Sequence, residues 1–163
     1  MMIRVLFVCL GNICRSPMAE GIMRHLVAQR GLSRLIEVDS AGTSRYHIGE
    51  QPHPGTLKVL REHGIELRHA ARQFTAADAR KFDILVAMDG DNIADMRGAL
   101  KDSANQIHYL LDFIPGGARS RGVPDPWYTG DFNEVYDLLD RACQGLLGHI
   151  VSEHLPDQPA QRG

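Results

Sequence analysis

The sequence has no long apolar run, few cysteines and no excess of either charge, and each shortfall closes off a class of protein. No stretch approaches the ~18 apolar residues of a membrane-spanning helix. The apolar opening, Ile3-Arg4-Val5-Leu6-Phe7-Val8, is too short for an export signal, and no small-residue cleavage site follows it. A cytoplasmic chain with no membrane association is therefore expected. Three cysteines, Cys9, Cys14 and Cys143, are too few for a disulfide scaffold, so reduced thiols are expected. Cys9 and Cys14 have no histidines at zinc-site spacing. His53, His63, His108, His149 and His154 show no metal spacing either and are expected on the surface. No glycine-rich loop ends in Lys-Ser or Lys-Thr, so ATP binding has no support. Lys and Arg number 18 against 20 Asp and Glu, a net charge of −2 with both signs spread along the chain. The concentrated basic face of a nucleic-acid binder is missing. Lysine is scarce, at Lys58, Lys81 and Lys101 only. The remaining basic residues are arginines, whose planar fork suits anion recognition.

What is present reads as one globular domain over residues 1–155, with a polar tail from Pro156 to Gly163 expected to be disordered. Residues 3–8 predict a buried strand ending at Cys9. Residues 17–30 predict a helix, with Pro17 at its first position and Gly31 as its stop. Leu35-Ile36-Glu37-Val38 is a short strand closed by Asp39-Ser40-Ala41-Gly42. A loop from Thr43 to Pro52 holds Tyr46 among polar neighbours. A helix from Pro54 to His63, a strand over 82–88, a helix from Asn92 to Leu100 and a strand from Ile107 to Leu111 follow. A loop over 115–126 leads to a long helix from Phe132 to His154 with an apolar stripe that includes Cys143. Strand and helix alternate, which predicts an α/β fold with a parallel sheet. Its site should lie beyond the carboxyl ends of the strands, where Cys9, Ser40 and Asp89 stand.

The segment Cys9-Leu10-Gly11-Asn12-Ile13-Cys14-Arg15-Ser16-Pro17 carries the chemistry. A cysteine six residues before an arginine is weak alone. Here the cysteine ends a strand, and Ser-Pro opens a helix. Gly11 and Asn12 tolerate the positive φ angles that turn successive N–H groups inward. With the helix N-terminus, residues 10–15 form a cradle for a tetrahedral dianion. The same field favours Cys9 as thiolate. Arg15 can bind two phosphate oxygens at once, and Ser16 can donate its hydroxyl to the sulfur. Transfer of a phosphoryl group to Cys9 and its hydrolysis by water would follow. The competing reading makes Cys9 a buried strand residue and Arg15 a surface one. A leaving alkoxide or phenolate needs a proton donor. Asp125, between Pro124 and Pro126 and beside Trp127 and Tyr128, is the candidate; a plain turn aspartate is the alternative.

With these residues in place the chain resembles the low-molecular-weight protein tyrosine phosphatases over residues 3–155. The cradle motif, the late Asp125-Pro126, and the segments Asp39-Ser40-Ala41-Gly42-Thr43, His69-Ala70-Ala71-Arg72-Gln73 and Met88-Asp89 carry the resemblance. It implies a four-stranded parallel sheet flanked by helices on both faces. It implies Cys9 as nucleophile, Arg15 as phosphate binder and Asp125 as acid, then base, with Asn12, Ser16, Ser40 and His69 in support. No metal or organic cofactor is implied. Tyr46, Trp127 and Tyr128 fall where the family borders its substrate cleft, although the family's usual residues there are tryptophan at 46 and tyrosine at 127. The implied partners are tyrosine-phosphorylated proteins, and a bacterial tyrosine kinase as opponent. The chain itself is expected as a monomer or weakly self-associating.

Three alternatives stand beside this. Arsenate reductases of this fold need a further cysteine pair, and none lies between Cys14 and Cys143. Arginine phosphatases of the family place threonine where this chain has Ile13. A catalytically silent phosphoprotein-binding or redox-sensing module would use Cys9 and Cys14 as a reversible disulfide, with Cys14 as a small buried loop residue the plain alternative.

Overall fold

The protein is described by a computed structural model covering residues 2–101, 105–116 and 122–155. Its strands are β1 (Ile3–Cys9), β2 (Ile36–Gly42), β3 (Ile84–Ala87) and β4 (Ile107–Tyr109). They form one parallel sheet in the order β2-β1-β3-β4. In β1, Ile3, Val5, Phe7 and Cys9 face one side, while Leu6 and Val8 face the other. Helices cover both sides, so β1 reads as a nearly unbroken apolar run. The register runs from Ile3 opposite Ile36 to Cys9 opposite Gly42. That brings the end of β2, with Ser40, beside the end of β1.

The helices are α1 (Arg15–Gln29), α2 (Pro54–Glu62), α3 (Ala76–Lys81), α4 (Gly90–Leu100), α5 (Pro126–Thr129) and α6 (Phe132–His154). α1, α2 and α6 pack on the Val5-Phe7 side, and α3 and α4 on the Leu6-Val8 side. Val135, Leu139, Ala142, Cys143, Leu146 and Ile150 form the stripe by which α6 seals its face; all are fully buried. Each buried Leu, Ile or Val there contributes about 1.5–3 kcal/mol. Cys143 belongs to this core, its Sγ 3.8 Å from the Ala19 carbonyl oxygen, and burial pushes its thiol up.

The four-stranded parallel sheet with helices on both faces is as expected, but several boundaries differ. α1 starts at Arg15, so Pro17 takes its third position rather than its first. That position is harmless, because the first four N–H groups of a helix have no partner within it. β2 runs on through Asp39 and Ser40 to Gly42, held by pairing with β1. β4 stops at Tyr109, and a 3-10 turn over Leu110–Phe113 replaces the expected strand end. Leu110 and Leu111 both pack into the α6-side core. Successive residues of a strand cannot face the same side, so the chain must turn. α3, and α5 behind Asp125, were not foreseen. His53, His108, His149 and His154 are half-buried rather than surface residues; His63 is exposed. The expected tail, 156–163, and part of the loop over 115–126 lie outside the described residues. Among the described residues, no helix is long and apolar enough to cross a membrane.

Candidate active site

The segment between β1 and α1 curls around one sulfur atom. Its first residues are tied back to the chain that follows β2: the Cys9 carbonyl accepts from the Thr43 N–H (2.9 Å) and the Leu10 carbonyl from the Ser44 N–H (2.9 Å). Further on, the Ile13 carbonyl accepts from the His53 N–H (2.7 Å), and the Cys14 carbonyl from the Thr56 hydroxyl (3.1 Å). Drawing these carbonyls outward leaves the opposite, N–H side of the peptides for the concave face, which is what an anion cradle needs. Asn12 takes the left-handed conformation at φ 57°. Gly11, expected to do likewise, does not. It contributes by having no side chain, since a Cβ there would lie 3.0 Å from the His47 ring.

Cys9 Sγ lies 3.0 Å from Ser16 Oγ and accepts the Asn12 N–H at 3.3 Å. Both groups can donate to a thiolate. Asn12 is fully buried. Its Nδ2 donates to Ser16 Oγ (2.9 Å) and Ser40 Oγ (3.0 Å), while its Oδ1 accepts from the Arg72 N–H (3.0 Å) and faces His69 Nε2 at 2.7 Å. Asn12, Ser16, Ser40 and His69 therefore meet as one network beneath the cradle. The network holds Asn12 in its left-handed turn.

Glu20, which the sequence reading missed, completes that network. Ser40 donates to its Oε1 at 2.7 Å, and His69 Nδ1 lies 3.2 Å from the same oxygen. Burial pushes the Glu20 carboxyl up to about 7, against the pull of Ser40 and Arg24. Burial also lowers the His69 imidazole. A buried acid among Met18, Ala19 and Ile22 on α1 is a legible signal, because an acid is seldom fully buried without partners. Glu20, Asp39 and His69 bring three ligand-type atoms within 4.8 Å of one another. Their charge is already balanced by Arg24 against Glu20 (3.0 Å) and Arg72 against Asp39 (3.2 Å).

Arg15 is almost fully buried, at 4% side-chain exposure. Nη1 donates to Asp89 Oδ2 at 2.6 Å and to the Val123 carbonyl at 3.1 Å; Nη2 lies 3.4 Å from Asp125 Oδ2. Burial disfavours the charged guanidinium, but Cys9, the hydrogen bond to Asp89 and the charge of Asp125 outweigh it and raise Arg15 further. Asp89 also caps α4 by accepting the Asn92 N–H at 2.8 Å. Its place at a strand end was legible; its pairing with a residue 74 positions away was not.

These parts line one cavity of about 400 Å³. Cys9, Arg15 and Asp125 share it with Leu10, Gly11, Ile13 and Cys14. Ser44, Tyr46, His47, Trp127 and Tyr128 complete its wall. Asn12, Ser40 and His69 lie behind the wall. Tyr46, Trp127 and Tyr128 are 83%, 54% and 79% exposed, as rim residues are. His47, 4.8 Å from the Tyr46 ring and 5.8 Å from Trp127, is a wall residue the sequence reading missed. Cys14 packs with Ile13, Ala71 and Phe132. Burial, then the charges of Cys9 and Asp125, push its thiol up to about 12.

The comparisons with known proteins agree with this geometry. The model of the family described as low molecular weight phosphotyrosine protein phosphatase matches residues 4–157. The low molecular weight protein-tyrosine-phosphatase YfkJ of Bacillus subtilis is 47% identical over 154 residues, covering 93% of this chain and 98% of that protein. Its crystal structure superposes with a TM-score of 0.89 at 46% identity, over 94% of this chain and 98% of that one. PtpA of Staphylococcus epidermidis, of the same description, is 40% identical over 93% of this chain and 96% of its own length. The structure of a Drosophila arginine phosphatase is also similar, with a TM-score of 0.80 and 35% identity over 91% of this chain and 98% of that one. The chain belongs to the low molecular weight phosphotyrosine protein phosphatase family, and it is a phosphatase.

Proposed function

We propose that the protein hydrolyses phosphotyrosine in proteins, with Cys9 as nucleophile, Arg15 as the phosphate clamp and Asp125 as the proton donor. The observation that carries this reading is that all three line one cavity whose mouth is walled by Tyr46, Trp127 and Tyr128. Cys9 Sγ attacks phosphorus as the bond to the tyrosyl oxygen breaks, and Asp125 protonates the leaving phenolate. The resulting carboxylate takes a proton from water, water oxygen attacks phosphorus, and the S–P bond breaks to release phosphate and thiolate. The cradle peptides of residues 10–15 and the Arg15 guanidinium bear the charge on the equatorial oxygens. The aromatic rim offers a wall on which the phenyl ring of a phosphotyrosine can stack, which a phosphoserine lacks.

The reading extends to residues 1–155 as one catalytic domain and to a reducing, cytoplasmic setting. A tyrosine kinase must supply the substrates. The enzyme works as a monomer or in weak self-association.

Matched phosphotyrosine, phosphoserine and phosphoarginine peptides, assayed with reductant and EDTA, test the substrate class. Phosphate should be released from phosphotyrosine. Ile13, 6% exposed on the cavity wall, is the apolar contact that favours a phenyl ring. Release from phosphoarginine instead would overturn that use of Ile13 and leave the thiolate chemistry standing.

Asp125→Ala tests the acid. Turnover of a phosphotyrosine peptide should fall about 10²- to 10³-fold, while an ester with a very acidic leaving group should lose little. Equal losses on the two esters would show that Asp125 is not the proton donor.

A further inference from the structure

Five rings touch in succession, Phe132, His53, Trp127, His47 and Tyr46, and the last three line the cavity. Phe132 and His53 are stacked, with centroids 4.9 Å apart and planes at 23°. His53 and Trp127 meet in a T-shaped arrangement, with centroids 5.7 Å apart and planes at 80°. Trp127 is tied to the proposed acid. Asp125 Oδ1 accepts the Trp127 N–H at 3.0 Å, and its carbonyl accepts the N–H groups of Tyr128 and Thr129 at 3.1 and 3.2 Å. α5, which carries this unit, has only four residues. Its one buried residue is Pro126, and Asp125 is met by Arg15 at 3.4 Å; the Trp127 ring must find its own support. Trp127 is 54% exposed, so burial does not fix it either.

Of the rings that meet Trp127, His47 sits in the loop that carries the largely exposed Tyr46. His53 is held through its backbone, its Nδ1 and one face of its ring. Its N–H donates to the Ile13 carbonyl of the cradle at 2.7 Å, and its carbonyl accepts the Leu57 N–H at 3.1 Å. Its Nδ1 accepts the Gly55 N–H at 2.9 Å, capping α2. Its face lies on Phe132. That ring presses so closely on the start of α2 that a Cβ at Gly55 would stand 2.5 Å from it.

We propose that His53 is a positioning residue: its ring is the fixed stop against which Trp127 rests, and it thereby sets where Asp125 stands over Cys9. The inference rests on the reading of Asp125 as proton donor. His53 is joined to the cradle through its backbone and to the acid through its ring. It therefore couples the two halves of the reaction site without touching substrate.

Two substitutions separate the ring from the cap. His53→Asn keeps a good cap for α2 and removes the ring. His53→Phe keeps a ring and removes the Nδ1 acceptor. His53→Asn should lower kcat about tenfold on a phosphotyrosine peptide, a part of what the acid contributes. It should change kcat by less than about twofold on an ester with a very acidic leaving group, and inhibition by inorganic phosphate should be unchanged. His53→Phe should stay within about twofold of wild type on both esters. Trp127→Ala should reproduce the leaving-group dependence in kcat, and His53→Asn should add nothing to it.

Wild-type kcat in His53→Asn, equal losses on both esters, a larger loss in His53→Phe, or no leaving-group dependence in Trp127→Ala would each overturn the proposal. Absence of that dependence in Trp127→Ala overturns the proposal even where a His53 variant fails to fold. If Asp125→Ala shows no leaving-group dependence, the acid reading itself falls. If Asp125→Ala shows it and His53→Asn does not, only the role of His53 falls.

Discussion

Cys9→Ser is expected to lower phosphotyrosine turnover by about 10⁴-fold or more while leaving phosphate binding intact. The sulfur is met by an Asn12 N–H at 3.3 Å and by the Ser16 hydroxyl at 3.0 Å, groups able to donate to a negative atom. A serine oxygen placed there would keep its own proton, because those neighbours are not bases. The surrounding shell is therefore matched to a thiolate and of little use to a hydroxyl. The cradle is held from outside, by the donors of residues 43–56 and by the side chain of Asn12, and none of these contacts needs the sulfur. The variant should bind inorganic phosphate at least as well as wild type, because the cradle peptides and Arg15 are unchanged. Phosphate release in single and multiple turnover, with a phosphate-binding titration beside it, reads both quantities. Residual turnover above about 1% would remove Cys9 as nucleophile. Joint loss of turnover and binding would mean that the cradle had collapsed.

Much of this architecture is legible in the order of residues, for identifiable reasons. β1 and the stripe of α6 are long, and their apolar positions repeat with the period of the element, so burial and sequence tell the same story. α3 is the opposite case. It has six residues, of which only Asp78 and Ala79 are buried, so no period can develop. Its one local mark is Asp78 accepting the Thr75 N–H at 2.9 Å. β2 looked shorter than it is because Asp39 and Ser40 read as a polar stop. Their side chains are spent on Arg72 and on the Asn12 network, and pairing with β1 keeps the strand going.

The site divides in the same way. Cys9 through Ser16 are contiguous, so their mutual geometry follows from a strand end, a loop and a helix start. Ser40 and His69 enter through the resemblance, and the structure adds the reason: both meet Asn12. Glu20, Asp89, His47 and His53 act through space on residues far along the chain. Nothing in local spacing reports that Arg15 reaches Asp89, or that His53 meets Trp127. An acid among the apolar residues of α1 marks Glu20 in the sequence; the succession of ring contacts from Phe132 to Tyr46 appears only once the loops are folded.

Arg15→Ala should cost about 10³-fold in kcat and also weaken phosphate binding, a double loss that Asp125→Ala should not show. Among the described residues that line the cavity, Arg15 is the one arginine or lysine. Cys9, Asp89 and Asp125 surround it, and a phosphate dianion brings further negative charge. The cradle peptides supply dipoles, but only Arg15 supplies a full positive charge. Its grip on Asp89 at 2.6 Å fixes the guanidinium plane before substrate arrives, so little ordering remains to be done on binding. The 3.4 Å approach to Asp125 is long for a charged hydrogen bond. It can be given up when a phosphate oxygen arrives, which frees Asp125 to face the leaving group. Arg15→Lys keeps the charge but not the planar fork, so it should recover phosphate binding in part and kcat hardly at all. Inhibition by inorganic phosphate, compared with kcat across the two variants, separates charge from geometry. Unchanged inhibition in Arg15→Ala would contradict the clamp. Full rescue of kcat by lysine would show that charge alone suffices, and that the plane held by Asp89 is not what the reaction uses.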